Sequence, residues 1–122
     1  MKPLFDTNIL VDYLNGIQQA ADEIDRYKSR FISAVTFIEV LVGARNEEDE
    51  RRIRAFLATF ETLGFVPALI EKTILLRRQF GLKIPDAIIY ATSKLNGTVL
   101  VTRNTKDFKE DWPDIRIPYR LP

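Results

Sequence analysis

A chain of 122 residues, 46% hydrophobic and 29% charged, has globular composition and room for one domain, burying roughly two thirds of the surface its unfolded form exposes. It contains neither cysteine nor histidine, which excludes disulfides, thiolate nucleophiles, sulfur-ligated zinc and histidine acid–base chemistry. A net charge of +1 excludes a polycation built to coat nucleic acid, and apolar runs too short for a bilayer or a secretory signal set the expectation of a soluble, cytoplasmic protein.

Short β-like runs alternate with longer helical stretches, the mark of an α/β domain with a parallel sheet. The first strand is expected at residues 3–5, followed by helices over 9–15, stopped by Asn15-Gly16, and 17–28. A second strand over 30–33 leads to helices over 36–44 and 47–60, the latter with Ile53, Phe56, Leu57 and Phe60 on one face. A third strand over 62–65 precedes helices over 68–80 and 86–95, closed by Gly81 and Gly97. Strands over 98–102 and 116–118 complete the domain, residues 1–122, with no internal repeat or linker.

Acidic residues recur where strands give way to helices. Asp6 follows Pro3-Leu4-Phe5, Glu39 lies in Thr36-Phe37-Ile38-Glu39, Asp86 in Ile84-Pro85-Asp86-Ala87, and Asp107 in the run from Thr102 to Phe108. Each has a structural alternative. Asp6 and Asp86 are competent helix caps, Thr36 to Glu39 matches the S/T-x-x-E/Q capping box, and Asp107 sits among loop charges. Together they weigh differently, because strand-to-helix junctions of a parallel sheet share one edge and can bring distant acids together. Converging carboxylates repel, and a divalent cation relieves that repulsion. All-oxygen ligation favours Mg²⁺ or Mn²⁺. Thr7, Asn8, Thr102 and Asn104 can hydrogen-bond phosphate oxygens or metal-bound water, while Lys83, Arg103 and Lys106 supply positive charge for an anionic substrate. Phosphodiester hydrolysis is the natural chemistry of such a set.

Other conspicuous features read as structural. Glu47-Glu48-Asp49-Glu50 before Arg51-Arg52 forms a solvated helix face, with Asn46 as cap and i,i+4 pairs from Glu47, Glu48 and Glu50 to Arg51, Arg52 and Arg54. Trp112 is a packing anchor for the tail. Phe37, Ile38, Leu41, Val42, Phe56 and Phe60 carry more apolar area than one small core needs, which points to self-association.

The stretches Phe5-Asp6-Thr7-Asn8, Val35 to Ala44, Ile84 to Ala91 and Val101 to Phe108 resemble, in order and over nearly the whole length, the successive motifs of PIN-domain ribonucleases, most closely the VapC-type toxins of toxin–antitoxin pairs. The resemblance implies an α/β/α sandwich around a parallel sheet, Mg²⁺- or Mn²⁺-dependent cleavage of structured RNA, a homodimer, and neutralisation by a VapB-like antitoxin. It places the family's acidic triad on Asp6, Glu39 and Asp86. For the fourth acid Asn104 occupies one candidate position and Asp107 the other; Asp107 is assigned, with Asn104 and Thr102 in support. Two other readings compete. A phosphatase of the haloacid dehalogenase type needs an acid where Asn8 stands, and a PIN-fold RNA-binding or scaffold domain would keep the fold without turnover.

Overall fold

A computed structural model describes residues 1–122. Five strands and six helices alternate: β1 (Pro3–Phe5), α1 (Thr7–Leu14), α2 (Gln18–Asp25), β2 (Phe31–Ser33), α3 (Ala34–Val42), α4 (Glu47–Leu57), β3 (Glu61–Leu63), α5 (Pro67–Phe80), α6 (Ile84–Leu95), β4 (Val99–Val101) and β5 (Ile115–Arg116). All pairings are parallel, in the order β3-β2-β1-β4-β5. Parallel neighbours require crossovers, and a helix pair supplies each one except the last, where residues 102–114 run as turns and loop.

The alternation of side chains along a strand sorts the core into two layers. Leu4 and Leu100 point to the face covered by Leu69 and Leu76 of α5 and Ala87, Tyr90 and Ala91 of α6. Phe5 and Val101, one residue on, point to the opposite face and pack against Ile9 and Leu10 of α1, Ile24 of α2, Val40 of α3, and Ile53 and Leu57 of α4. The result is the expected α/β/α sandwich. No helix is long and apolar enough to cross a membrane.

Local chemistry explains where elements begin and end, and where expectation and structure part. Helix α1 starts at Thr7, two residues early, because Asp6 caps it by accepting the Thr7 N–H. Helix α3 starts at Ala34, because Ser33 Oγ accepts the Val35 N–H at 3.1 Å. That removes the capping box proposed for Thr36 and Glu39: both lie inside the helix, where Glu39 has no orphan N–H to reach. Strand β3 pairs Glu61, Thr62 and Leu63 with Phe31, Ile32 and Ser33 and stops short of Phe65, since Pro67 opens α5 at its first position. Gly81 ends α5 in the left-handed conformation at φ 68°, a geometry that favours glycine.

Two expectations are corrected in detail. Of the i,i+4 pairs on α4 only Glu50–Arg54 forms, at 3.0 Å. Arg52 turns instead to Asp49 at 2.7 Å, because Asp49 is fixed by the Asn46 cap and by the Arg45 N–H. The apolar surplus is also differently placed. Phe60 is buried and Phe56 stacks on Tyr13 with centroids 4.3 Å apart, leaving only Ile38 and Val42 of that set exposed. The larger exposed apolar face belongs to α5 and the turn before it, where Phe65, Val66, Ile70 and Ile74 border an open groove of about 490 Å³. Trp112 does anchor the tail, stacked on Tyr90 and 4.6 Å from Phe80.

Candidate active site

The strand order reverses at β1. The chain steps outward from β1 to β2 and β3, then crosses back to place β4 on the other side. In open parallel sheets the crevice beyond the carboxyl ends of the strands at such a reversal is where ligands bind. Asp6 leaves β1 there and Thr102 leaves β4. The Asp6 N–H extends the ladder by donating to the Val101 carbonyl at 2.9 Å, so its side chain leaves the sheet in a fixed direction. One carboxylate oxygen, Oδ1, accepts the Thr7 N–H at 2.8 Å. The other, Oδ2, accepts the Thr102 hydroxyl at 2.8 Å and the Asn8 amide at 3.2 Å.

Asp6 is therefore a helix cap and something more. It is only 3% exposed, and all three donors are neutral. Burial raises its pKa from 3.8 to about 6; the bonds from Thr102 and Thr7 oppose the rise, and the charges of Asp86 and Glu39 add to it. Asp86 sits in the first turn of α6 without capping it. Its pKa is also raised, by burial first and then by the charges of Asp107 and Glu39, against a pull downward from Lys83. Four carboxylates from four separate stretches thus act on one another across this edge of the sheet.

Thr7 links the first two acids. Its hydroxyl donates to Glu39 Oε1 at 2.7 Å and lies 3.0 Å from the buried Thr36 hydroxyl. Having a single proton to give, Thr7 must accept from Thr36. The exposed Glu39 side chain is thereby held over the first turn of α1.

The loop after β4 settles what Asn104 does. Its Oδ1 accepts the N–H groups of Lys106 and Asp107, at 3.2 and 3.1 Å, while its Nδ2 donates to Asp107 Oδ2 at 3.0 Å. Its own N–H donates to Thr102 Oγ1 at 3.0 Å. Asn104 is committed to shaping the turn, and Asp107 is the acid of this loop whose charge Asp86 feels.

The basic residues diverge. Lys83 is exposed and close enough to Asp86 to act on it electrostatically, and Lys106 is exposed on the loop. Arg103 is spent elsewhere: its Nε and a terminal nitrogen form a two-point bridge to Asp12, at 2.7 and 2.9 Å. Sequence reasoning missed Asp12 and Tyr119, whose hydroxyl also donates to Asp12 at 2.8 Å. A signal for Asp12 existed, since it falls three residues after Ile9 on the buried face of α1, where an acid needs a partner. Nothing in the sequence marks Tyr119.

No group of three or more acidic side chains is drawn into a ready-made metal cage. The donor set nonetheless suits a hard divalent cation: every candidate ligand is a carboxylate oxygen, and the buried charge of Asp6 has no cationic partner among its bonds. The largest groove, on α5, includes none of these acids.

Comparison with known proteins bears on the family and the fold. The PIN domain family model matches residues 4–110. A structure described as a toxin–antitoxin complex from Klebsiella pneumoniae is similar over 98% of this chain and 100% of that one, at 40% identity and a TM-score of 0.92. DNA-bound VapBC from Salmonella typhimurium is similar at 24% identity over 98% of both chains, TM-score 0.76. FitAcB from Neisseria gonorrhoeae is similar at 20% identity over 95% of this chain and 97% of that one, TM-score 0.79. These last two likenesses speak for the fold alone. No curated protein sequence matches the chain.

Proposed function

The chain belongs to the PIN-domain family, and from that membership we propose that it is a Mg²⁺- or Mn²⁺-dependent endoribonuclease. It acts in the cytoplasm as the toxin of a VapBC-type pair, cutting structured RNA of the tRNA or rRNA class. The observation that carries this reading is the buried carboxylate of Asp6, held by three neutral donors at the sheet reversal and repelled by Glu39 and Asp86. A buried charge of that kind, with further acids around it, is costly unless a cation joins it.

Asp6, Glu39, Asp86 and Asp107 would hold the cation. A divalent ion there supplies water of lowered pKa and a counter-charge for phosphoryl oxygens. The protein's own share is orientation: Thr102 and Asn8 aim Asp6, Thr7 steers Glu39, and Asn104 steers Asp107. Lys83 and Lys106 offer exposed positive charge for RNA phosphates. The chain has no imidazole pair to activate a 2′-hydroxyl and protonate the leaving group. Hydrolysis by water therefore leaves 5′-phosphate and 3′-hydroxyl ends. The test is RNA cleavage by purified protein with Mg²⁺ and with a chelator, followed by end analysis. Cleavage that survives the chelator, or 2′,3′-cyclic phosphate ends, overturns the reading.

Two partners belong to this proposal. The 40% identity to a chain from a toxin–antitoxin complex supports a VapB-like antitoxin, and a carboxylate cluster is a receptor for an inserted arginine, which bonds carboxylates at two points and competes with the metal. The exposed apolar face of α5 is assigned to a second copy of the chain in a two-fold homodimer.

A further inference from the structure

Arg103 stands between the two residues that orient the outer acids: Thr102 donates to Asp6, and Asn104 donates to Asp107. Its backbone N–H donates to Asn8 Oδ1 at 3.1 Å, and Asn8 donates in turn to Asp6. Its guanidinium leaves the site to meet Asp12 on the second turn of α1. Asp12 is 5% exposed and also takes the Tyr119 hydroxyl. Two planar groups joined at two points have little freedom to slide, and the tyrosine closes the pair from the chain beyond β5. The loop is therefore anchored on one side to α1 and on the other to the tail.

We propose that the Asp12–Arg103–Tyr119 clamp is a positioning device that fixes Asp107 relative to Asp6 and so sets the affinity of the site for its divalent cation. The sequence pointed Arg103 at the RNA; the structure turns it to the protein. This inference rests on the metal-site reading above, but its readout does not depend on catalysis.

The experiment measures Mn²⁺ binding to the purified protein, without RNA, by electron paramagnetic resonance for wild type, Arg103→Lys, Tyr119→Phe and Asp6→Asn, with circular dichroism confirming the fold. Lysine keeps the charge but cannot form the planar fork, so Arg103→Lys should weaken Mn²⁺ binding about tenfold and Tyr119→Phe about threefold. In metal-free buffer the RNA affinity of Arg103→Gln and its dependence on salt should match wild type, because a lost phosphate contact would lower the log–log salt slope by roughly 0.7 to 0.9. Unchanged Mn²⁺ affinity in folded Arg103→Lys and Tyr119→Phe overturns the clamp, as does a reduced salt slope in Arg103→Gln, which would return Arg103 to the substrate. If Mn²⁺ binding weakens as expected while wild type cleaves no RNA, the clamp stands and the nuclease reading fails. Wild type that binds no Mn²⁺ removes both.

Discussion

Replacing Asp6 by asparagine tests the central physical claim, that a carboxylate is held buried and uncompensated. In metal-free protein the rise from 3.8 to about 6 corresponds to a cost of about 3 kcal/mol for keeping Asp6 charged in the fold. The folded pKa is raised, so the associated stability is fully present below the unfolded value and disappears as pH rises through about 6. Taking metal-free wild type from about pH 8 to about pH 5 should therefore stabilise it by roughly 1.4 kcal/mol, or about 5 °C in melting temperature for a chain of this size. Asparagine removes the charge but not without loss. Asp6 meets donors at both oxygens, so whichever way the amide is turned, its NH₂ faces a donor at one end, costing on the order of 1 kcal/mol. At about pH 8 the variant should be roughly 2 kcal/mol more stable than metal-free wild type, and at about pH 5 the gap should largely close. Adding Mg²⁺ at the higher pH should raise wild type and leave the variant unmoved, since only a native state that binds the ion gains from it. The assay is thermal melting in chelated and Mg²⁺ buffers across that range. Parallel pH profiles for wild type and variant would show that Asp6 carries no buried, uncompensated charge, and the metal argument built on it would fall.

Glu39→Gln and Asp86→Asn should fold normally, because a glutamine oxygen can still accept from Thr7 and Asp86 caps nothing, yet each should reduce Mg²⁺-dependent RNA cleavage on the order of a hundredfold; near-normal rates in both remove them from catalysis. Asp107→Asn should lose less, about tenfold, since Asn104 preserves the loop around it. Arg116→Ala strips Glu23, 4% exposed, of its two-point partner at 2.7 and 2.9 Å and should cost about 3 kcal/mol in urea unfolding. The Glu23 pKa is lowered because Arg116, Tyr27 and Arg26 together outweigh the effect of burial, so the stability it contributes is present above pH 4.5 and lost as pH falls through the lowered folded value; that acid limb in the pH profile of unfolding should shrink in Arg116→Ala, where Tyr27 and Arg26 still hold the carboxylate. Ile70→Glu, at a site 64% exposed on α5, should convert the dimer to monomer in light scattering without lowering monomer stability, and a wild type that is already monomeric at tens of micromolar removes the homodimer.

Period and composition were enough to determine the α/β class, the number of elements and the edge on which the acids meet. Strand runs and helical stretches alternate, and parallel connectivity puts every strand-to-helix junction at the same end of the sheet. The lack of histidine and cysteine already confined the chemistry to oxygen ligands. What tertiary structure alone decided is which polar group serves which neighbour. Glu39 read equally well as half of a capping box until Ser33 was seen to start α3 two residues earlier, a difference of less than one turn that propensity cannot resolve. Residue type alone favours Asp107 over Asn104 for the fourth acid, but the bonds that commit Asn104 to its own turn exist only once the loop after β4 is folded. Arg103 read as a substrate contact because its partner Asp12 lies 91 residues away in sequence, and Tyr119 joins them from beyond the last strand. Local periodicity reports the face a residue takes on its own element; long-range pairing depends on how elements stack, and there the sequence alone fell silent.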